Sequence, residues 1–243
     1  MKKIIVLLFV IALLLYGYQY GRSFWHPVVV EVKGKRTVSE VVAKHEGQTR
    51  QDRAPLFTKA GISYPPSKLA LVAFKDTNEL ELWASDGIAA YTLVKSYQIK
   101  AASGKLGPKL REGDRQVPEG LYKISAFNPN SSYHLSMKIN YPNSFDLTHA
   151  RAEGRNEPGT NIFIHGKAVS IGCLAMGDDA IEQLFTLVSI VGRANAMVLI
   201  SPTDPSKGEL LAPNDAPKWT PELYEKIKSQ YALINQAYVV APN

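Results

Sequence analysis

Cys173 is the only cysteine in this chain of 243 residues, and its surroundings have the types that nucleophilic chemistry needs. The run reads His165-Gly166-Lys-Ala-Val-Ser170-Ile-Gly172-Cys173. A cysteine attacks a carbonyl as thiolate, and a nearby imidazole is the usual way to make one near neutral pH. His165 is therefore the candidate base and Cys173 the candidate nucleophile, with a thiol pKa expected below that of a free cysteine. Gly172 lacks a side chain and permits a tight turn. The amides of Gly172 and Cys173 are then expected to point at a developing oxyanion. A lone cysteine is more often a small buried hydrophobe. Here base, turn and nucleophile come together, which favours chemistry.

Such residues need a frame. Residues 161–164 form an apolar, strand-like run, so His165 should close a strand. Beyond Cys173, the apolar residues Ile181, Leu184, Phe185 and Val188 have helical spacing, and Asp179 with Glu182 reads as a capping box. Earlier, residues 69–74 are continuously apolar and residues 75–78 have turn chemistry. Leu80, Leu82 and Ala84 then alternate with Glu79, Glu81 and Trp83, a hairpin signal. Asp86-Gly87 marks another turn, before a strand over 90–99. Residues 104–120 are rich in Gly, Pro and charge and read as a long loop, with a strand over 121–125. Residues 128–146 read as irregular surface, and 197–200 as a buried strand. Thr220-Pro221 opens a last helix whose stripe is Leu223, Ile227, Tyr231 and Ile234.

Toward the N-terminus, residues 38–59 are helix-compatible, with Pro55 expected to break or restart the helix. Val28 to Val32 form a β-like patch in a linker or stalk. Lys2 and Lys3 precede an apolar run over 4–15, the pattern of an export signal. No Ala-x-Ala site follows, and tyrosines with Trp25 flank the run. We therefore expect an uncleaved signal-anchor at residues 1–22, with a cleaved signal peptide as the alternative. Net charge is +6, of which Lys2, Lys3 and Arg22 supply half, too mild a remainder to argue for nucleic acid. A single cysteine in an oxidising compartment cannot form an internal disulfide, which again favours a reactive thiol.

The run Gly107-Pro-Lys-Leu-Arg-Glu-Gly-Asp-Arg-Gln-Val-Pro-Glu-Gly-Leu-Tyr122, followed by Ile-His165-Gly166 and Ser170-Ile-Gly-Cys173, resembles the L,D-transpeptidase (YkuD-type) catalytic domain. Tyr64-Pro-Pro66, Leu80-Glu-Leu-Trp83, Phe127-Asn-Pro-Asn130, Asn140-Tyr-Pro-Asn143 and Gly-Cys-x-Ala-Met176 point to its YafK-like branch. The likeness covers about residues 55 to 237. It implies a mostly β (α+β) fold: a β-sheet catalytic domain at 67–237, with a helix after the cysteine and a C-terminal helix, behind a linker and helical lead-in at 23–66. It implies cell-wall peptide chemistry, and the N-terminal segment read above adds the expectation of a periplasmic or cell-envelope protein held at the inner membrane by its N-terminus. Cys173 would attack an L,D peptide bond of a peptidoglycan stem peptide and leave a thioester, which an amine or water then takes. His165 would be base and then acid, the carbonyl of Gly166 would orient its imidazole, Ser170 would support, and Gly172 would make the oxyanion turn. The resemblance leaves the substrate-binding residues unknown and implies no cofactor.

Two departures bear on the acceptor. Only four residues separate His165 from Ser170, fewer than in the broader family, and Ala175 stands where that family usually has arginine. Hydrolysis, including release of a wall-attached lipoprotein, is therefore kept beside transfer. A papain-type peptidase normally places Cys before His in the chain. A zinc site would need ligands beyond His165 and Cys173, and His134 and His149 match no closed Cys/His spacing. His26 and His45 are expected to be solvated. A non-catalytic wall-binding protein is the reading of another class, disfavoured by the presence of both Cys173 and His165. Lys109, Arg111 and Arg115 read as a solvated loop, and Tyr141 as either a site-lining or a surface aromatic.

Overall fold

The computed structural model describes residues 2–87 and 90–236. The outermost residues of the expected segments, 1 and 237, lie outside that range. Strands β1 (Lys68–Phe74), β2 (Glu79–Ser85), β3 (Thr92–Gln98), β4 (Gly120–Asn128), β5 (Ser136–Ile139), β6 (Phe163–His165), β7 (Leu174–Ala175) and β8 (Ala196–Ser201) form one sheet. Its order is β3-β2-β1-β8-β4-β5-β6-β7, mostly antiparallel, with β1–β8 and β6–β7 parallel. Helices α1 (Lys2–Tyr20), α2 (Arg22–Lys33), α3 (Val38–Lys59), α4 (Ser144–Ala152), α5 (Asp178–Val191) and α6 (Thr220–Ile234) make it a mixed α+β fold.

The apolar run of β1 has no polar alternation because both of its faces are covered. Leu69, Leu71 and Ala73 pack with Val41 and Phe57 of α3 and with Ile181, Leu184 and Val188 of α5. Ala70, Val72 and Phe74 pack on Leu223, Tyr224, Ile227 and Tyr231 of α6. The sheet is thus the middle of three layers. The apolar stripes expected for α5 and α6 are buried as read.

Several local expectations are corrected. Val28 to Val32 are helical, within α2. Valine costs a helix only a few tenths of a kcal/mol per residue. Tertiary ties outweigh that: Arg22 Nε donates to Ser132 O, and His26 is buried. Pro55 does not break α3, which runs on to Lys59 with Phe57 fully buried. The start of α3 carries a capping box that went unread: Thr37 Oγ1 accepts from Glu40 N, and the Glu40 carboxylate accepts from Thr37 N. Residues 128–146 are not irregular surface. They hold β5 and the start of α4, because Leu135, Met137 and Ile139 alternate inward beneath a polar composition. Asp179 and Glu182 do not cap α5, whose N-cap is Gly177 without a side-chain bond.

At the N-terminus, α1 carries the apolar run, with Ile4 to Leu15 mostly exposed. No helix among the described residues is long and apolar enough to cross a membrane.

Candidate active site

His165 closes β6, and Cys173 immediately precedes β7. These strands are parallel, with Ile164 opposite Leu174 and His165 opposite Ala175. Strand alternation therefore puts the side chains of His165, Ala175 and Cys173 on one face, and those of Ile164 and Leu174 on the other. The register thus sets on one face of the sheet two residues that the sequence separates by a loop.

The imidazole is fixed in tautomer. His165 Nδ1 lies 2.6 Å from Gly166 O. A carbonyl oxygen can only accept, so Nδ1 carries the proton and Nε2 keeps a free lone pair. Tyr133 covers the ring at a centroid distance of 4.8 Å. Gly166 must be glycine, because a Cβ there would stand 2.7 Å from Tyr133 O and 2.8 Å from Asp178 Oδ1. Asp178 in turn accepts from the Lys167 amide at 2.9 Å and pairs with the Lys167 ammonium, holding the loop after the histidine at the start of α5.

Cys173 is half-buried, and its Sγ lies 3.9 Å from Asn161 O. Burial pushes the thiol above its usual range, against weaker pulls from a backbone hydrogen bond at Phe163 and from the Lys109 ammonium. Burial holds the His165 imidazole below its usual value, against the pull of the Gly166 carbonyl. Both directions favour a neutral thiol beside a neutral imidazole. Both run against the expectation of a depressed thiol pKa.

The turn is tightly bonded. Ser170 Oγ accepts from Cys173 N at 2.9 Å and donates to Cys173 O at 2.6 Å. Gly172 N donates to Ser103 Oγ at 2.6 Å. Both amides expected to face an oxyanion are therefore engaged by serine hydroxyls here. Gly172 has φ +93°, and a Cβ on it would stand 3.3 Å from Gln116 O, so the turn lies flush on the glycine-rich loop.

That loop is a wired structure rather than a solvated one. Lys75 Nζ reaches Glu119 Oε1 at 2.9 Å, Gly107 O at 2.9 Å and Val117 O at 3.0 Å. Glu119 also accepts from Gly107 N at 2.7 Å and from the Tyr224 hydroxyl at 2.9 Å. Asp114 accepts from the amides of Leu110, Arg111 and Gln116 and pairs with the buried Lys109. Lys109 is thus buried, contrary to the solvated reading, while Arg111 and Arg115 are exposed. Tyr141 is a buried strut, its hydroxyl donating to Pro158 O at 2.7 Å.

A cleft of about 790 Å³ opens beside the site between Tyr97, Lys100, Tyr133, Lys167 and Met176. The other histidines are elsewhere. His134 Nε2 and His45 Nδ1 take the two oxygens of Glu182 at 2.6 and 3.2 Å, and His149 stacks on Trp219. His26 and His45 are not solvated: His26 is buried, and His45 is largely covered by its pairing with Glu182. No group of three or more His, Cys, Asp or Glu suited to a metal occurs among the described residues. Ser103, Tyr133 and Asp178 were not legible as site residues, because each acts across a turn or strand that composition does not mark.

Residues 70–205 match the family described as YkuD, L,D-transpeptidase catalytic domain. The chain is 36% identical over 141 residues to the Escherichia coli K12 protein named "Putative L,D-transpeptidase YafK". That alignment covers 56% of this chain and 54% of the relative, so the chain spans about half the length of the curated protein it matches. Among solved structures it is similar to the helical cell shape determining protein Pgp2 of Campylobacter jejuni, with TM-score 0.46, 21% identity, and coverage of 56% of this chain and 48% of that one. It is also similar to Bd1075 of Bdellovibrio bacteriovorus, with TM-score 0.42, 18% identity, and coverage of 70% and 56%. The family match spans more than half of the sequence, and the chain belongs to the YkuD family of L,D-transpeptidase catalytic domains.

Proposed function

We propose that this chain is a cysteine acyltransferase of the cell envelope that acts on L,D peptide bonds of peptidoglycan stem peptides. The observation that carries the reading is the placement of His165 and Cys173 on one face of β6 and β7, with Nδ1 committed to Gly166 O. Nε2 takes the thiol proton as Sγ attacks the stem carbonyl. The tetrahedral intermediate collapses to a Cys173 thioester, and the imidazolium returns its proton to the leaving amine. The acceptor then loses its proton to Nε2, attacks the thioester, and releases the thiol. Ser170, bonded to both the amide and the carbonyl of Cys173, keeps the nucleophile in one backbone conformation.

Water is the second acceptor in this reading. Ala175, where the broader family usually has arginine, is fully buried, and its N–H and C=O bond Ala101 O and Lys100 N, so it offers no side-chain charge to an acceptor. The export-like segment in α1 is what would deliver the chain to the envelope, where stem peptides and wall-attached lipoprotein are its candidate partners. Incubating purified muropeptides with the protein across graded amine concentrations tests the reading. We expect cleaved stems with amine-dependent exchange product and a hydrolysed fraction that falls as amine rises. No product at any amine concentration, or equal product from Cys173→Ala, would reject it.

A further inference from the structure

Ser103 lies 70 residues before Cys173, yet its hydroxyl reaches the amide of Gly172, the residue next to the nucleophile. The bridge beside it is antiparallel and pairs Ala101 with Ala175. It is closed by Ala175 N donating to Ala101 O at 3.0 Å and Lys100 N donating to Ala175 O at 2.7 Å. Two residues beyond that bridge, Ser103 stands against the turn that carries Cys173. There its hydroxyl accepts from Gly172 N at 2.6 Å and donates to Arg115 O at 2.7 Å. One hydroxyl therefore joins the active-site turn to the glycine-rich loop, with its proton and a lone pair both used.

The base that carries Ser103 is itself locked. Gly104, at φ +97°, lies so close to Gln116 that a Cβ would stand 2.1 Å from Oε1. Gln116 Oε1 accepts from Lys105 N at 2.9 Å, and its Nε2 donates to Gly107 O at 2.6 Å. Val117 N donates to Ser103 O at 3.3 Å. A residue so placed is fixed by its backbone on both sides. Its hydroxyl is thus a rigid arm rather than a mobile surface group.

We propose that Ser103 is a positioning residue for Cys173. It holds the Gly172–Cys173 turn at a fixed distance from the glycine-rich loop, and with it the burial of the thiol and the approach of Sγ to a bound carbonyl. Ser170 fixes the turn from within, through the amide and carbonyl of Cys173, whereas Ser103 fixes it from outside. Nucleophile placement is sensitive to shifts of an ångström or less, so loss of one arm should show in the chemical step.

This inference rests on the acyl-transfer reading, so its test uses one measurement that needs no substrate. Cys173 alkylation by iodoacetamide is followed against pH in the full chain and in Ser103→Ala and Ser103→Thr. Muropeptide turnover is measured in parallel. In Ser103→Ala the turn loosens and the thiol gains solvent. The alkylation midpoint is expected to move down toward that of a free thiol, while kcat falls about ten- to a hundredfold with KM within about twofold. Ser103→Thr, which keeps the hydroxyl, is expected to stay near wild type in both. A wild-type alkylation midpoint in Ser103→Ala overturns the proposal, and so does a Thr variant as impaired as the Ala one. If the wild-type chain turns over no muropeptide, the functional reading fails, and the alkylation midpoint still decides the role of Ser103.

Discussion

Burial favours the neutral forms of both His165 and Cys173, and that has a direct consequence for how they titrate. His165 must be unprotonated to act as base, and burial holds its pKa below the usual value of 6.5. The acid limb of kcat/KM should therefore have its midpoint below 6.5, and activity is lost only as pH falls through it. Thiol alkylation should titrate above the range of a free cysteine, since burial raises Cys173. A thiol midpoint well below that range would show a preformed ion pair instead. Gly166 offers a sharper test. In Gly166→Ala the added carbon meets Tyr133 O, Asp178 Oδ1 and Ile181 Cγ2 at 2.7 to 3.0 Å. Overpacking of this kind costs about 1–3 kcal/mol, read as a lowered urea midpoint, and should also release the imidazole from its tautomer. Wild-type stability with wild-type turnover in that variant would contradict the packing described here. The types and order of His165, Gly172 and Cys173 marked them as candidates in the sequence, and the family resemblance added Gly166 and Ser170. The protonation state was not legible, since it depends on burial by Tyr133 and the walls around Cys173.

At the scale of elements, α3 and α5 are joined through Glu182, whose two oxygens hold His134 and His45. His26 and His45 both have pKa values lowered by burial, His45 against the attraction of Glu182 and His26 with the added repulsion of Arg22 and Arg36. As pH falls below about 6.5 the unfolded chain binds these protons before the folded one, so this stabilisation is present above 6.5 and fades on acidification. Asp146 opposes it, because burial raises its carboxyl to about 6 and its share is lost as pH rises through that value. The contribution is thus best read by difference. His45→Gln should flatten the decline in unfolding free energy between pH 7 and 5, and an unchanged slope would remove His45 from the account. The sequence marked α3, α5 and α6 by their apolar spacing. It hid β5, whose alternating Leu135, Met137 and Ile139 sit among Ser, Tyr, His and Lys. It also hid the helical state of Val28 to Val32, whose β-branched residues read as strand.

Across the whole molecule, the sheet and α6 converge on the glycine-rich loop through one buried ion pair. Lys75 follows β1, Glu119 precedes β4, and Tyr224 of α6 bonds the same carboxylate. Removing one partner leaves the other charge buried, so Lys75→Met is expected to cost about 3–5 kcal/mol in urea unfolding. Amide exchange should rise over residues 104–120. Exchange that stays confined to β1 would show that the pair does not organise the loop. That a loop lay here was legible from its glycines and prolines. That it is rigid was not, because Lys75 and Glu119 are 44 residues apart. The proposed chemistry passes through a covalent intermediate at one sulfur. Intact-protein mass spectrometry of the chain quenched in acid after mixing with a purified tetrapeptide muropeptide measures it directly. We expect an added mass equal to the acyl part of the stem, mapped to Cys173, labile to hydroxylamine, and absent from Cys173→Ala. Stem cleavage that proceeds with no adduct, or that survives in Cys173→Ala, would contradict the account.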